Sequence, residues 1–141
     1  MTNCYRVTGF IFKKEDRSEA DRLFFIFTDS LGKLKVFGKA IRKISSKLKS
    51  GIDLFCISEI EFIQGKSKKT LTDAVIVKKY DNIIRSPRRF EIANQIIRVI
   101  DDFIKEQEPD EFFFDLLKDS FEKLDNRNKG LTSHQFHHLP R

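Results

Sequence analysis

The spacing of apolar residues along this chain changes once, near Tyr80, and the change separates a strand-forming part from a helix-forming part. Residues 6–12 are rich in β-branched and aromatic side chains, and 23–28 form the continuous apolar run of a buried strand. Asp29-Ser30-Leu31-Gly32 is turn chemistry. It leads into a third strand over 33–40, where Leu34, Val36, Gly38 and Ala40 alternate with Lys33, Lys35, Phe37 and Lys39. Residues 54–63 read as a fourth strand, 64–69 as a hairpin loop and 70–78 as a fifth strand. Five short strands at this spacing in about eighty residues predict a small barrel of the oligonucleotide-binding (OB) kind.

Beyond Tyr80 the period becomes helical. Ser86-Pro87 supplies an N-cap and a first-turn proline, and Ala93, Ile96, Ile97, Ile100, Phe103 and Ile104 recur at helical spacing. Pro109-Asp110-Glu111 opens a second helix whose early acids suit the macrodipole, with Phe113, Leu116, Leu117, Phe121 and Leu124 as its apolar face. The expected class is therefore mainly β then α: a five-stranded barrel over 1–80, a small helical domain over 81–126 and a disordered tail over 127–141. Phe112, Phe113 and Phe114 make the second helix more apolar than an exposed face should be, so a further packing surface is expected.

Charge sharpens this division. The net charge of +6 is uneven: residues 1–80 hold seventeen Lys and Arg against nine Asp and Glu, whereas 81–141 hold ten against twelve. Within 33–50, Lys33, Lys35, Lys39, Arg42, Lys43, Lys47 and Lys49 occur with no Asp or Glu among them. A basic strand with one ring in its charged face suits single-stranded nucleic acid, since lysines follow phosphates and Phe37 stacks a base. The same pattern also suits a solvated strand edge kept charged against edge-to-edge pairing, with Phe37 a core ring if the alternation is reversed. A membrane surface is the poorer partner, because no basic helix carries Trp or Leu on its other face.

Other chemistry is sparse. The longest apolar run is five residues, 23–27, far short of the roughly 20 that a membrane span requires, and the N-terminus has no signal-peptide pattern, so a cytoplasmic protein is expected. Cys4 and Cys56 lack metal-ligand spacing and are expected to be free and buried. His134, His137 and His138 are the only histidines, and without Cys or carboxylate neighbours they read as part of a frayed tail and not as a metal site. No phosphate-cradling glycine loop and no catalytic motif occurs, and adjacent acids such as Asp101-Asp102 do not converge on a helix. A binding protein without enzymatic activity, cofactor or metal is expected.

Tyr5-Arg6-Val7-Thr8-Gly9-Phe10-Ile11-Phe12, then Ser18-Glu19-Ala20-Asp21-Arg22-Leu23, then Phe27-Thr28-Asp29-Ser30-Leu31-Gly32-Lys33, together with Phe37-Gly38-Lys39-Ala40-Ile41-Arg42-Lys43-Ile44-Ser45-Ser46, resemble the N-terminal domain of the bacterial recombination mediator family RecO. The similarity runs over about residues 4–124, and it departs where Lys39 stands between Gly38 and Ala40 and where Ile41 precedes Arg42. It implies binding of single- and double-stranded DNA and annealing of complementary strands. With RecR, it further implies loading of RecA on DNA coated by the single-stranded DNA-binding protein SSB. Family members continue with more helices, some with a Cys zinc site; here a shortened, nucleoid-associated form without that site is expected. The family's helical domain receives the acidic SSB tail, for which Arg88, Arg89, Arg98, Phe113 and Leu117 are the candidate residues, and self-association is expected if the helices stay uncovered. An RNA-binding OB module and a protein adaptor with a charged barrel remain the alternatives.

Overall fold

The computed structural model describes residues 3–43, 46–104 and 110–126. Five strands, β1 (Asn3–Arg17), β2 (Asp21–Thr28), β3 (Lys33–Gly38), β4 (Ile57–Gln64) and β5 (Lys69–Lys78), close into a barrel in the order β1-β2-β3-β5-β4. All neighbours are antiparallel except β3 and β5, which close the ring in parallel at Phe37 and Thr70. This is the expected OB-like ring, and three helices follow it: α1 (Asp81–Arg85), α2 (Pro87–Asp101) and α3 (Glu111–Asn126).

The long first strand makes closure possible. Its first part pairs with β4 and its second with β2, and Gly9 sits at the exchange, where a Cβ would run into the Ile26 side chain. A bulge between Ile11 and Lys13 then puts Phe12 and Lys13 both on the outside, while Ile11 stays opposite Ile26 in the interior. Alternation sends Val7, Ile11, Phe24, Ile26, Leu34, Val36, Ile60, Phe62 and Leu71 inward as one core cluster. Ile41 and Ile52, from the segment between β3 and β4, complete it. That segment contains a short 3₁₀ turn, Lys49–Gly51, packed so close to Ala74 that only glycine fits at position 51.

A second core cluster lies between the barrel wall and the helices: Phe10, Phe12, Phe27, Phe55 and Ile57 meet Tyr80, Ile83, Ala93, Ile97, Ile100, Leu117 and Phe121. The helices thus bury one face against the barrel as well as against each other. Ser86 accepts a hydrogen bond from the Arg89 amide with Pro87 at the first helical position, as the sequence predicts. At the other end, buried Asp125 of α3 accepts from the amides of Asn82 (2.9 Å) and Ile83 (3.3 Å) and so caps α1.

Several expectations change. The fourth strand begins at Ile57, because Phe55 takes φ 60° and breaks the extended run. The third stops at Gly38, since Ala40 takes φ 57° in a turn held by Asp21, whose carboxylate accepts the Ala40 N–H at 2.7 Å. Cys56 is buried but Cys4, at the start of β1, is exposed. Phe103 lies at the helix end with 68% of its surface exposed. The tail over 127–141, with all three histidines, lies outside the described residues, as does Pro109. No helix among the described residues is long and apolar enough to cross a membrane.

Candidate nucleic-acid interface

The outer face of β2 and β3 carries three cross-strand rows, fixed by the register Phe27–Lys33, Phe25–Lys35 and Leu23–Phe37. The helices take the first row: Phe27 is buried against them, and Lys33 reaches α2 to pair with Asp101 at 2.8 Å. The other two rows face outward. Phe25, paired with Lys13 across β1, has the Lys13 ammonium 4.9 Å and the Lys35 ammonium 5.7 Å from its ring centre. Phe37 is half-buried with Lys68, from the β4–β5 hairpin, 4.1 Å over its ring. The strand alternation therefore runs as the sequence predicts, and Phe37 belongs to the charged face and not to the core.

Parallel closure of β3 on β5 brings that hairpin beside Phe37. A groove of about 310 Å³ results, lined by Leu23, Lys35, Phe37, Gln64, Ser67, Lys68 and Lys69, with no carboxylate in its walls. Acids stand at its margin under restraint. Hydrogen bonding by Lys13 holds the Glu15 carboxyl below its usual range, with Arg17 also 2.8 Å away. The Ala40 amide does the same for Asp21, helped by Ser18 and by the nearby charges of Lys39 and Lys68. These carboxylates stay ionised and fixed, so they shape the loops that carry the lysines. The outer face of β1, β4 and β5 has the opposite balance, for Arg6 there meets Glu59 (2.9 Å), Asp73 (3.1 Å) and Glu61 (3.5 Å).

The seven cations of residues 33–50 thus separate by task. Lys35 and Lys39 stand at or beside the groove, with Lys39 exposed in the turn after β3. Arg42 works as a clamp: its guanidinium donates to the Ser18 carbonyl at 2.9 Å and lies 3.7 Å from Asp16, while its amide donates to Ala20. Lys43, Lys47 and Lys49 are exposed along the β3–β4 connection, where Lys49 donates to the Arg42 carbonyl at 3.5 Å, and none of the three lines the groove. Sequence reasoning missed Lys13, Phe25, Lys68 and Lys69. Phe25 lies inside a run of five apolar residues where inward and outward positions look alike, and Lys68 reaches Phe37 only through barrel closure.

The helical candidates divide as well. An apolar groove of about 340 Å³ runs between α2 and α3, lined by Ile92, Gln95, Ile96, Val99, Ile100, Leu116 and Ser120. Arg88 is exposed and shares a helical stripe with Ile92, Gln95 and Val99, whereas Arg98 falls on another side of α2. Arg89 is half-buried behind the N-cap. Leu117 is 0% exposed in the core, so it supports α3 from beneath and cannot line a docking site. Phe113 stacks on Phe103 with centroids 6.2 Å apart and meets Phe112 edge-on at 5.4 Å, beside the groove and not in it.

Residues 1–80 match the family described as "Recombination protein O N terminal". The DNA repair protein RecO of Dehalococcoides mccartyi (strain 195) is 31% identical over 126 residues, covering 89% of this chain and 50% of that protein. The DNA repair proteins RecO of Moorella thermoacetica and of Nostoc sp. are 27% and 23% identical over 96% and 92% of this chain, and 51% and 44% of their own lengths. The chain spans about half the length of the curated relatives it matches.

Proposed function

The chain belongs to the RecO family, and on that premise we propose that it is a DNA-binding recombination mediator of DNA repair whose barrel takes single-stranded DNA across the outer face of β2 and β3. The Phe37 groove carries this reading: an aromatic ring under a lysine, in a carboxylate-free channel between strands 2–3 and the hairpin joining strands 4 and 5, is where an OB barrel binds a strand. Bases stack on Phe37 and Phe25 while Lys13, Lys35, Lys39, Lys68 and Lys69 meet the phosphates. Lys43, Lys47 and Lys49 extend the positive field along the next loop, where a second backbone, single or duplex, is neutralised. Screening two backbones at once lowers the repulsion that opposes pairing, so annealing proceeds without ATP.

RecR and RecA, the latter indirectly, are the partners of the same activity on SSB-coated DNA in the bacterial cytoplasm. The SSB tail, an acidic peptide ending in an apolar residue, is suited to the groove of Ile96, Val99 and Leu116 with Arg88 at its edge. Annealing of complementary oligonucleotides, bare and SSB-coated, with and without RecR, tests this reading. Acceleration on bare strands that is lost in Lys35→Glu and Lys68→Glu supports it. No acceleration and no binding overturns it, and a clear preference for RNA of the same sequence moves the activity to RNA.

A further inference from the structure

Tyr5 and Phe62 are cross-strand partners on β1 and β4, and their rings stack with centroids 5.3 Å apart and planes 23° from parallel. Tyr5 has the inward parity of Val7, Gly9 and Ile11, but it stands beyond the last filled layer of the barrel. Tyr5 is therefore 40% exposed at the mouth, where Phe62 beneath it is buried. The mouth is an open cavity of about 430 Å³ with Tyr5, Phe62 and Leu34 as apolar walls and Ser30, Gln64 and Lys69 as polar ones. Gln64 and Lys69 also line the Phe37 groove, so the two spaces meet across the base of the β4–β5 hairpin.

We propose that this mouth is a second base-binding slot, in which Tyr5 stacks an unpaired base of the same DNA strand that crosses Phe37. The inference rests on the single-stranded DNA reading above. Three features select a nucleobase: a flat aromatic wall with an exposed face, hydroxyl and amide groups for ring edges, and an ammonium for the adjoining phosphate. No carboxylate lines either space, so the phosphate backbone meets no opposing charge from Phe37 to Tyr5. The strand would thus turn over Lys69 from the outside of the barrel to its open end.

Fluorescence anisotropy with single-stranded oligonucleotides of about four to sixteen nucleotides, the range of OB-fold site sizes, tests the slot. Tyr5→Ala and Tyr5→Leu are each expected to weaken the longer oligonucleotides about tenfold and leave the shortest unchanged. Tyr5→Leu keeps an apolar cover on Phe62, and melting curves verify that both variants fold. An abasic site at one position of the long oligonucleotide should cost the wild type the same factor and cost the Tyr5 variants nothing. Tyr5 variants that bind every length like wild type, or lose affinity equally at every length, overturn the slot while leaving the DNA reading intact. A mononucleotide that fills the mouth without competing with the oligonucleotide overturns it too. A wild-type protein that binds no oligonucleotide removes the reading on which the slot depends.

Discussion

Phe37 shows at the scale of one residue how strand parity carries function. Its neighbours Val36 and Gly38 point inward and are buried, so its own ring is left outside under Lys68. Phe37→Ala should cost about 1–3 kcal/mol of affinity for single-stranded DNA, with little change in melting temperature. A loss of about 3–5 kcal/mol of folding stability in denaturant titration would instead mark a core ring. Cys56 gives a second residue-scale test. Burial pushes its thiol from the ordinary value of 9.0 up to about 11, so the folded state holds its proton where the unfolded chain has lost it. That contribution is fully present below about pH 9 and is lost as pH rises toward about 11. Wild-type stability should therefore fall more steeply than that of Cys56→Ala between those values; parallel curves would contradict the burial effect.

Elements depend on a few local devices. Asp125 joins the last turn of α3 to the first amides of α1, and its removal takes the carboxylate partner from the part-buried Asn82 amide and leaves the Ile83 amide only its bond to the Tyr80 carbonyl. Asp125→Ala should lower stability by about 1–3 kcal/mol in denaturant titration without changing affinity for DNA. The presence of five strands, the β2–β3 turn and the Ser86-Pro87 start of α2 were legible in the sequence, because each has a strong local signal of alternation, turn residues or cap. The far half of β1 was not. Residues 13–17, Lys-Lys-Glu-Asp-Arg, carry no apolar alternation and are held extended by pairing with β2. Helix α1 is a single five-residue turn, too short for any period to show. The candidate site was half legible for the same reason: Lys35 and Phe37 lie on one alternating strand, whereas Lys13, Phe25, Lys68 and Lys69 join them only through register and closure.

The whole molecule joins two cores, one inside the barrel and one between barrel and helices, so a basic face and an apolar face are held on one framework. The apolar face is open at Val99, Phe103, Phe112 and Leu116, of which Phe103 and Phe112 are each 68% exposed. Concentration-dependent association is expected in sedimentation and should be reduced by Phe112→Glu; a monomer at all concentrations would show that this face needs no cover. The central claim concerns the other face. It is tested most directly by the salt dependence of single-stranded DNA binding. Contact of about five lysines with phosphates predicts that log K falls against log salt with a slope of roughly −3 to −4, reduced by about 1 or less in Lys68→Glu. A slope near zero, or binding indifferent to Lys68, would contradict the assignment of this barrel face to DNA.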